Sequence, residues 1–375
     1  MRISRFGFHT LLFCVTVIAV FVFSGYHHTV EIQDRLLCHA LGIDFSDGEY
    51  EVSAQVFKPS GTGSDTPVDI TKSNIELVYG RGKTVSQALE QCENKRGKEI
   101  FLGHLQLICF GRSVDFSDTK QLFEFCLKDR TVYLGVDICL GDTSASELME
   151  VELSNDMLAT ENYVSVIEKN AQKSRTVRCR LLDFLNMAQT HQCVALPVLK
   201  VTKPQGDKKE FSEPSLQISE TALIKDGRVL DESIDAENSS VFCMLCGEGK
   251  ACDMVLESGG RQYSVSISRK GSSAGVEQGE GILLYKAHLE VVVHHLKDIV
   301  NDYDNESVKR LVTQKLHEQF SRVFGECISG EKADVFGVWK LLRAKYPKTF
   351  LDYKDRLDEL YECTQGELEI ECLVE

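Results

Sequence analysis

Residues that could do chemistry are few and poorly placed for it. Gly271, Ser273 and Gly275 spell the Gly-x-Ser-x-Gly pattern of a hydrolase nucleophile, which lifts a serine hydroxyl at a strand-to-helix turn. Here glycine and serine continue on both sides, so residues 271–281 read as a flexible loop joining two strands. Gly82, Lys83 and Thr84 look like the tail of a phosphate-binding loop, yet Leu77 stands where that loop needs an earlier glycine. Thr84 as a helix cap accounts for the same residues. Cys243, Cys246 and Cys252 are close in sequence, but a tetrahedral metal site wants a fourth ligand and no matching second pair follows. Core packing or an adventitious disulfide explains them as well. His294 and His295 are neighbours in a strand and point to opposite faces, which separates them as ligands. His27 and His28 follow an apolar run and suit an interfacial loop. No paired carboxylates, triad or regular ligand set emerges, so the chain reads as non-enzymatic, with no catalytic, cofactor-binding or metal residues.

The elements that would have to position any site are more legible. At 375 residues and 43% hydrophobic content, the chain can bury two or three cores. A net charge of −15 argues against nucleic acid as a partner. The densest basic stretch, residues 173–180, reads as a solvated flank. Most of the fourteen cysteines sit where a small hydrophobe belongs, among them Cys109, Cys126, Cys139 and Cys372.

Arg2 and Arg5 precede an apolar run over residues 11–23, the layout of a secretory signal or signal anchor. This run is shorter than the roughly 20 residues of a comfortable span, though Phe6 and Phe8 extend it. Positive charge ahead of it predicts a cytoplasmic N-terminus with the rest of the chain outside.

Periodicity then predicts a strand at 49–58, a loop at 61–71, a strand at 74–79, and a helix capped by Thr84 with Val85, Ala88, Leu89 and Cys92 in one stripe. Strands at 104–110 and 132–140 alternate with helices at 117–128, capped by Ser117, and at 144–152. Helical stripes follow at 163–171 and 179–188, then an extended segment at 194–201. Residues 203–214, with two prolines, a glycine and clustered charge, predict a domain boundary. Beyond it, Asp226 and Gly227 predict a tight hairpin. Strands at 262–268 and 287–296, a helix from Asn305, a shorter helix ending at Pro347, and a last strand at 366–375 with an acidic outer face complete the pattern. The expected class is α+β, with mixed sheets covered by helices in two to three subdomains after the apolar anchor.

Several segments, in order, resemble the GerAC, or Ger(x)C, family, the C subunits of spore germinant receptors. They are EIQDRLLCHALGID from Glu31, YEVSAQVFKPSG from Tyr50, GKTVSQAL from Gly82, IFLGHLQLICFG from Ile100, LLDFLNMAQTHQCVALPVLKV from Leu181, ETALIKDGRVLDES from Glu220 and ADVFGVWKLLRAKYP from Ala333. The resemblance implies a signal or anchor segment over 1–25, an N-terminal domain over 26–202, a linker over 203–216 and a C-terminal domain over 217–375. It also implies a subunit on the outer face of the inner spore membrane, needed for germination and working beside membrane-embedded A and B subunits, with no cofactor. Family members are typically lipoproteins, but Tyr26 replaces the expected cysteine and cannot form the thioether, so the segment is expected to stay uncut as the anchor. Gly103 and His104 match a family block and are the candidate contact residues, although a strand-entry turn with a structurally hydrogen-bonded histidine is the plainer account of them. An extracytoplasmic, membrane-tethered solute- or polymer-binding protein is the rival reading. A surface hydrolase is a further rival and would need Ser273 or a histidine to be catalytic.

Overall fold

The computed structural model describes residues 5–24, 31–58, 74–129, 131–151, 159–189, 193–202, 215–258, 261–279, 281–294 and 305–374. The N-terminal run forms a helix, α1 (Arg5–Ser24), which leaves Leu12, Phe13, Val15, Ile18 and Val20 exposed. Among the described residues no helix is long and apolar enough to cross a membrane.

A ten-stranded mixed sheet dominates the chain from residue 35 to 235. Four parallel strands form its centre: β1 (Arg35–Ser46), β5 (Leu107–Phe110), β6 (Asp137–Gly141) and β8 (Val194–Thr202). Antiparallel pairs extend both edges, β2 (Glu49–Phe57) and β3 (Ile75–Gly82) on one side, β9 (Ser215–Lys225) and β10 (Arg228–Asp235) on the other. Short strands β4 (Glu99–Phe101) and β7 (Cys179–Arg180) pair with β1 and β6. Parallel strands are covered on both faces and therefore read as unbroken apolar runs. The sequence of β5, Leu-Ile-Cys-Phe, is buried at every position.

Helices on the two faces close two cores. One core gathers Leu41, Ile108, Phe110 and Ile138 with α2 (Val85–Arg96), α3 (Thr119–Leu122), α4 (Glu124–Lys128) and α7 (Leu181–Gln189). The other gathers Ala40, Cys109 and Cys139 with α5 (Ala145–Met149) and α6 (Ala159–Gln172). The stripe of α2 is the predicted one, and the Thr84 hydroxyl accepts the Gln87 N–H at 3.2 Å. The single helix expected over 117–128 is instead α3 and α4, divided at Phe123. Its cap is Asp118, one residue past the expected Ser117, and its carboxylate accepts from Gln121 N at 3.0 Å. The strand expected from residue 132 begins only at Asp137. Ahead of it the chain turns, with Val132 N bonded to Asp129 O and Val136 N to Tyr133 O.

Past β10 comes a second unit. Helix α8 (Ser240–Cys246) leads into β11 (Ala251–Ser258), β12 (Arg261–Gln278) and β13 (Leu283–His294), an antiparallel meander. The last strand, β14 (Thr364–Val374), joins this sheet parallel to β13. Between β13 and β14 lie α9 (Asn305–Phe324), α10 (Val338–Lys345), α11 (Pro347–Tyr353) and α12 (Leu357–Glu362). Val308, Val312, Leu316, Phe320 and Val323 of α9 pack with Tyr285, Leu289 and Val291 on one face of the sheet.

Two expectations shift here. Of the expected linker over 203–216, residues 203–214 lie outside the described residues and 215–216 open β9, which is an antiparallel neighbour of β8. The first sheet therefore runs past the expected boundary and ends with β10. Likewise, residues 271–278 are the second half of β12 and not a loop, because Gly271 to Gln278 pair with Glu290 to Leu283 along β13. The small residues fit a strand whose partner supplies the larger side chains. The loop expected over 61–71, together with His27, His28 and His295, lies outside the described residues.

Candidate functional site

The family-block residues divide into a surface cluster and buried braces. Gly103 and His104 sit in a single 3-10 turn between β4 and β5. The exposed His104 ring stacks on His39 at 5.9 Å and meets Phe101 edge-on at 5.8 Å. Phe101 folds back over Gly103 so closely that a Cβ there would fall 2.4 Å from the ring, which is why glycine is needed. The Arg35 guanidinium lies 4.8 Å from the Phe101 centroid, a cation–π contact at the start of β1. His39 is half-buried, and its Nδ1 finds no hydrogen-bond partner among the described residues. Burial, and then the neighbouring His104, hold its imidazole below the ordinary value. The stacked pair can present an aromatic patch to a partner.

Asp44 and Asp334, which end or open family blocks, are braces. Asp44 caps α5: its two carboxylate oxygens accept from Ala145 N at 2.8 Å and Ser146 N at 2.9 Å. Gly111 is tight against this carboxylate, since a Cβ there would lie 1.9 Å from Asp44 Oδ1. Asp334 is buried and accepts from Val338 N at 2.9 Å and Trp339 N at 2.8 Å, with Tyr361 Oη at 3.4 Å, tying α10 to α12. Desolvation raises both carboxyls above their ordinary value despite these donors.

Of the basic stretch at 173–180, Lys173 and Arg175 are exposed as expected, whereas Arg178 and Arg180 are held in ion pairs. Arg178 makes a bidentate pair with Asp137, Nε–Oδ1 at 2.7 Å and Nη2–Oδ2 at 2.9 Å, and Arg180 bonds Glu248 at 2.8 Å. Arg178 is mostly buried because Asp137, only 2% exposed, requires a partner there.

Ser273 lies within β12, opposite His288 of β13, with no strand-to-helix turn behind it. The geometry of a nucleophile elbow is thus absent at Ser273. The cysteines are free thiols; Cys243 and Cys252 are buried, and Cys246 is exposed at the end of α8. Burial pushes the Cys92 and Cys252 thiols up to about 11 and Cys243 and Cys327 up to about 12, far from the thiolate range of reactive cysteines.

What sequence reasoning missed is the outer face of the second sheet. Lys286, His288 and Glu290 of β13 share that face with Glu367, Glu369 and Glu371 of β14, and an open groove of about 820 Å³ runs past Ser273, His288 and Glu369. The His288 and Glu290 side chains approach to 3.9 Å, and Glu371 completes a trio whose nitrogen and oxygen atoms all lie within 4.8 Å of one another. The signal was the alternation His-x-Glu in one strand and Glu-x-Glu in another. It means nothing until the two are known to be neighbours.

Residues 28–201 match the family model of the spore germination protein N-terminal domain. The chain also superposes on a solved structure, described as the crystal structure of the GerBC protein, with a TM-score of 0.55. That match covers 89% of this chain and 96% of the other at 12% identity, so the likeness is one of fold. No curated protein matches.

Proposed function

Since the chain belongs to the GerAC, or Ger(x)C, family of spore germination proteins, we propose that it is the C subunit of a nutrient germinant receptor, acting by binding and not by catalysis. The observation that carries this reading is the match of residues 28–201 to the germination domain, with the fold likeness extending through the second sheet. On this reading residues 1–25 anchor the chain and the two sheets stand on the outer face of the inner spore membrane, beside membrane-embedded A and B subunits. The exposed apolar side chains of α1, Leu12, Phe13, Val15, Ile18 and Val20, support an anchor, since such a cluster favours a nonpolar surrounding. Residues 25–34 tie α1 to β1, a reach of at most about 35 Å, which keeps the Arg35, Phe101 and His104 patch close to the bilayer. A net charge of −15 and the pairing of Arg178 and Arg180 with acids disfavour nucleic acid. Raised thiols and a Ser273 held mid-strand favour a binding role over a hydrolytic one.

The test is deletion of the reading frame in a spore former, with complementation. Loss of nutrient-triggered germination, restored by the intact chain, is the expected result. Unchanged nutrient germination in the deletion strain overturns the reading.

A further inference from the structure

We propose that His288, Glu290 and Glu371 form a site for a divalent first-row transition-metal ion on the outer face of the second sheet. Strands β13 and β14 are parallel and in register, His288 beside Glu369 and Glu290 beside Glu371. Strand periodicity puts these side chains on one face, so two adjacent residue pairs hold one imidazole and three carboxylates. Glu290 and Glu371 are like charges side by side on neighbouring parallel strands, and a cation between them would relieve their repulsion. Lys286, two residues before His288 in β13, is already bound to Glu277 at 2.7 Å. No ion pair with a lysine or arginine is formed by Glu371 among the described residues.

The backbone around Glu290 favours the same assignment. The β12–β13 register slips between Arg269 and Gly271, a bulge that leaves Gly271 opposite Glu290. A Cβ on Gly271 would come within 3.2 Å of the Glu290 carboxylate, so glycine there lets that carboxylate lie over β12 while Glu371 stands over β14. The donor atoms of the trio lie within 4.8 Å of one another. Zinc makes bonds of roughly 2.0–2.2 Å to nitrogen and oxygen, so an ion bound there would draw these donors closer together. One imidazole with carboxylates and no thiolate selects zinc or manganese over calcium, which prefers an all-oxygen shell.

The experiment is titration of the full chain in detergent with zinc chloride, followed by isothermal calorimetry, alongside the single variants His288→Ala and Glu371→Gln. One equivalent of zinc bound to the native chain, with affinity reduced at least about tenfold in each variant, is the expected result. Glu371→Gln keeps the shape of the side chain, and a circular dichroism spectrum matching the native one shows that any loss is not unfolding. Absence of stoichiometric binding, or binding that both folded variants leave unchanged, overturns the proposal.

Discussion

Removing the Asp334 carboxylate should unlock the second unit. Asp334→Ala leaves the N–H groups of Val338 and Trp339, both buried, without acceptors, and takes the partner from Tyr361 Oη. An orphaned buried donor costs about 1–3 kcal/mol, so the two backbone groups together cost about 2 kcal/mol at the lower end of that range. For a unit of this size about 1 kcal/mol moves the melting midpoint by about 2–4 °C, which gives a loss of about 4–8 °C. Asp334→Asn keeps one acceptor and turns an amide toward the other N–H, so it falls between alanine and the native chain. The pH dependence separates the two contributions to this site. Burial raises the folded-state carboxyl above its ordinary 3.8, so the stability that the protonated form contributes is complete below 3.8 and is lost as pH rises through the folded-state value. The deficit of Asp334→Asn relative to the native chain should therefore shrink as pH climbs through that window. Differential scanning calorimetry across acid to neutral buffers measures both. A midpoint for Asp334→Ala within about 2 °C of native, or an Asp334→Asn deficit that grows with pH, refutes the reasoning.

Further expectations follow from the other braces. Asp44→Ala should cost about 1–2 kcal/mol through loss of the α5 cap, and Gly111→Ala should cost a similar amount by displacing the same carboxylate. In a double-mutant cycle by urea unfolding the pair should cost no more than the larger single change, and full additivity sinks the shared-cap account. Arg178→Ala should destabilise by about 3–5 kcal/mol at neutral pH by stranding the Asp137 carboxylate, and less in acid where that carboxylate takes up a proton; equal losses at both pH values, from chemical denaturation, would contradict this. For the topology, a cysteine placed at the exposed Asp355 should react with a membrane-impermeant maleimide on intact protoplasts, and labelling only after lysis would put the bulk of the chain on the wrong side.

Much of the fold was legible because one-dimensional periodicity encodes burial. Thr84 with Val85, Ala88, Leu89 and Cys92 announced α2, and Asp226 with Gly227, both at positive φ, announced the β9–β10 hairpin. Failures came where tertiary pairing overrides local character. The glycines and serines of 271–278 read as a loop because nothing in them signals a strand; β13 imposes one. The proline-bearing stretch at 203–214 read as a boundary, yet the strands on both sides of it pair. Arg178 read as a solvated charge because its partner Asp137 is remote in sequence. The trio on the outer face was illegible for the same reason, since only the parallel register of β13 with β14 brings Glu371 beside Glu290. Gly103 and His104, by contrast, occupy a turn before a strand, and Gly103 is needed by the Phe101 ring above it.

The β13–β14 pairing also orders events in time. Leu283 waits for Thr364, and the strand that covers Leu289 and Val291 with Leu368 and Cys372 is synthesised after the other strands of its sheet. While that strand is still in the ribosomal tunnel, the first sheet has every strand it needs and the second does not. A nascent chain stalled before residue 364 would thus display a finished first unit and an unsealed second one, a state that quality control would meet as half a protein and not as a random coil.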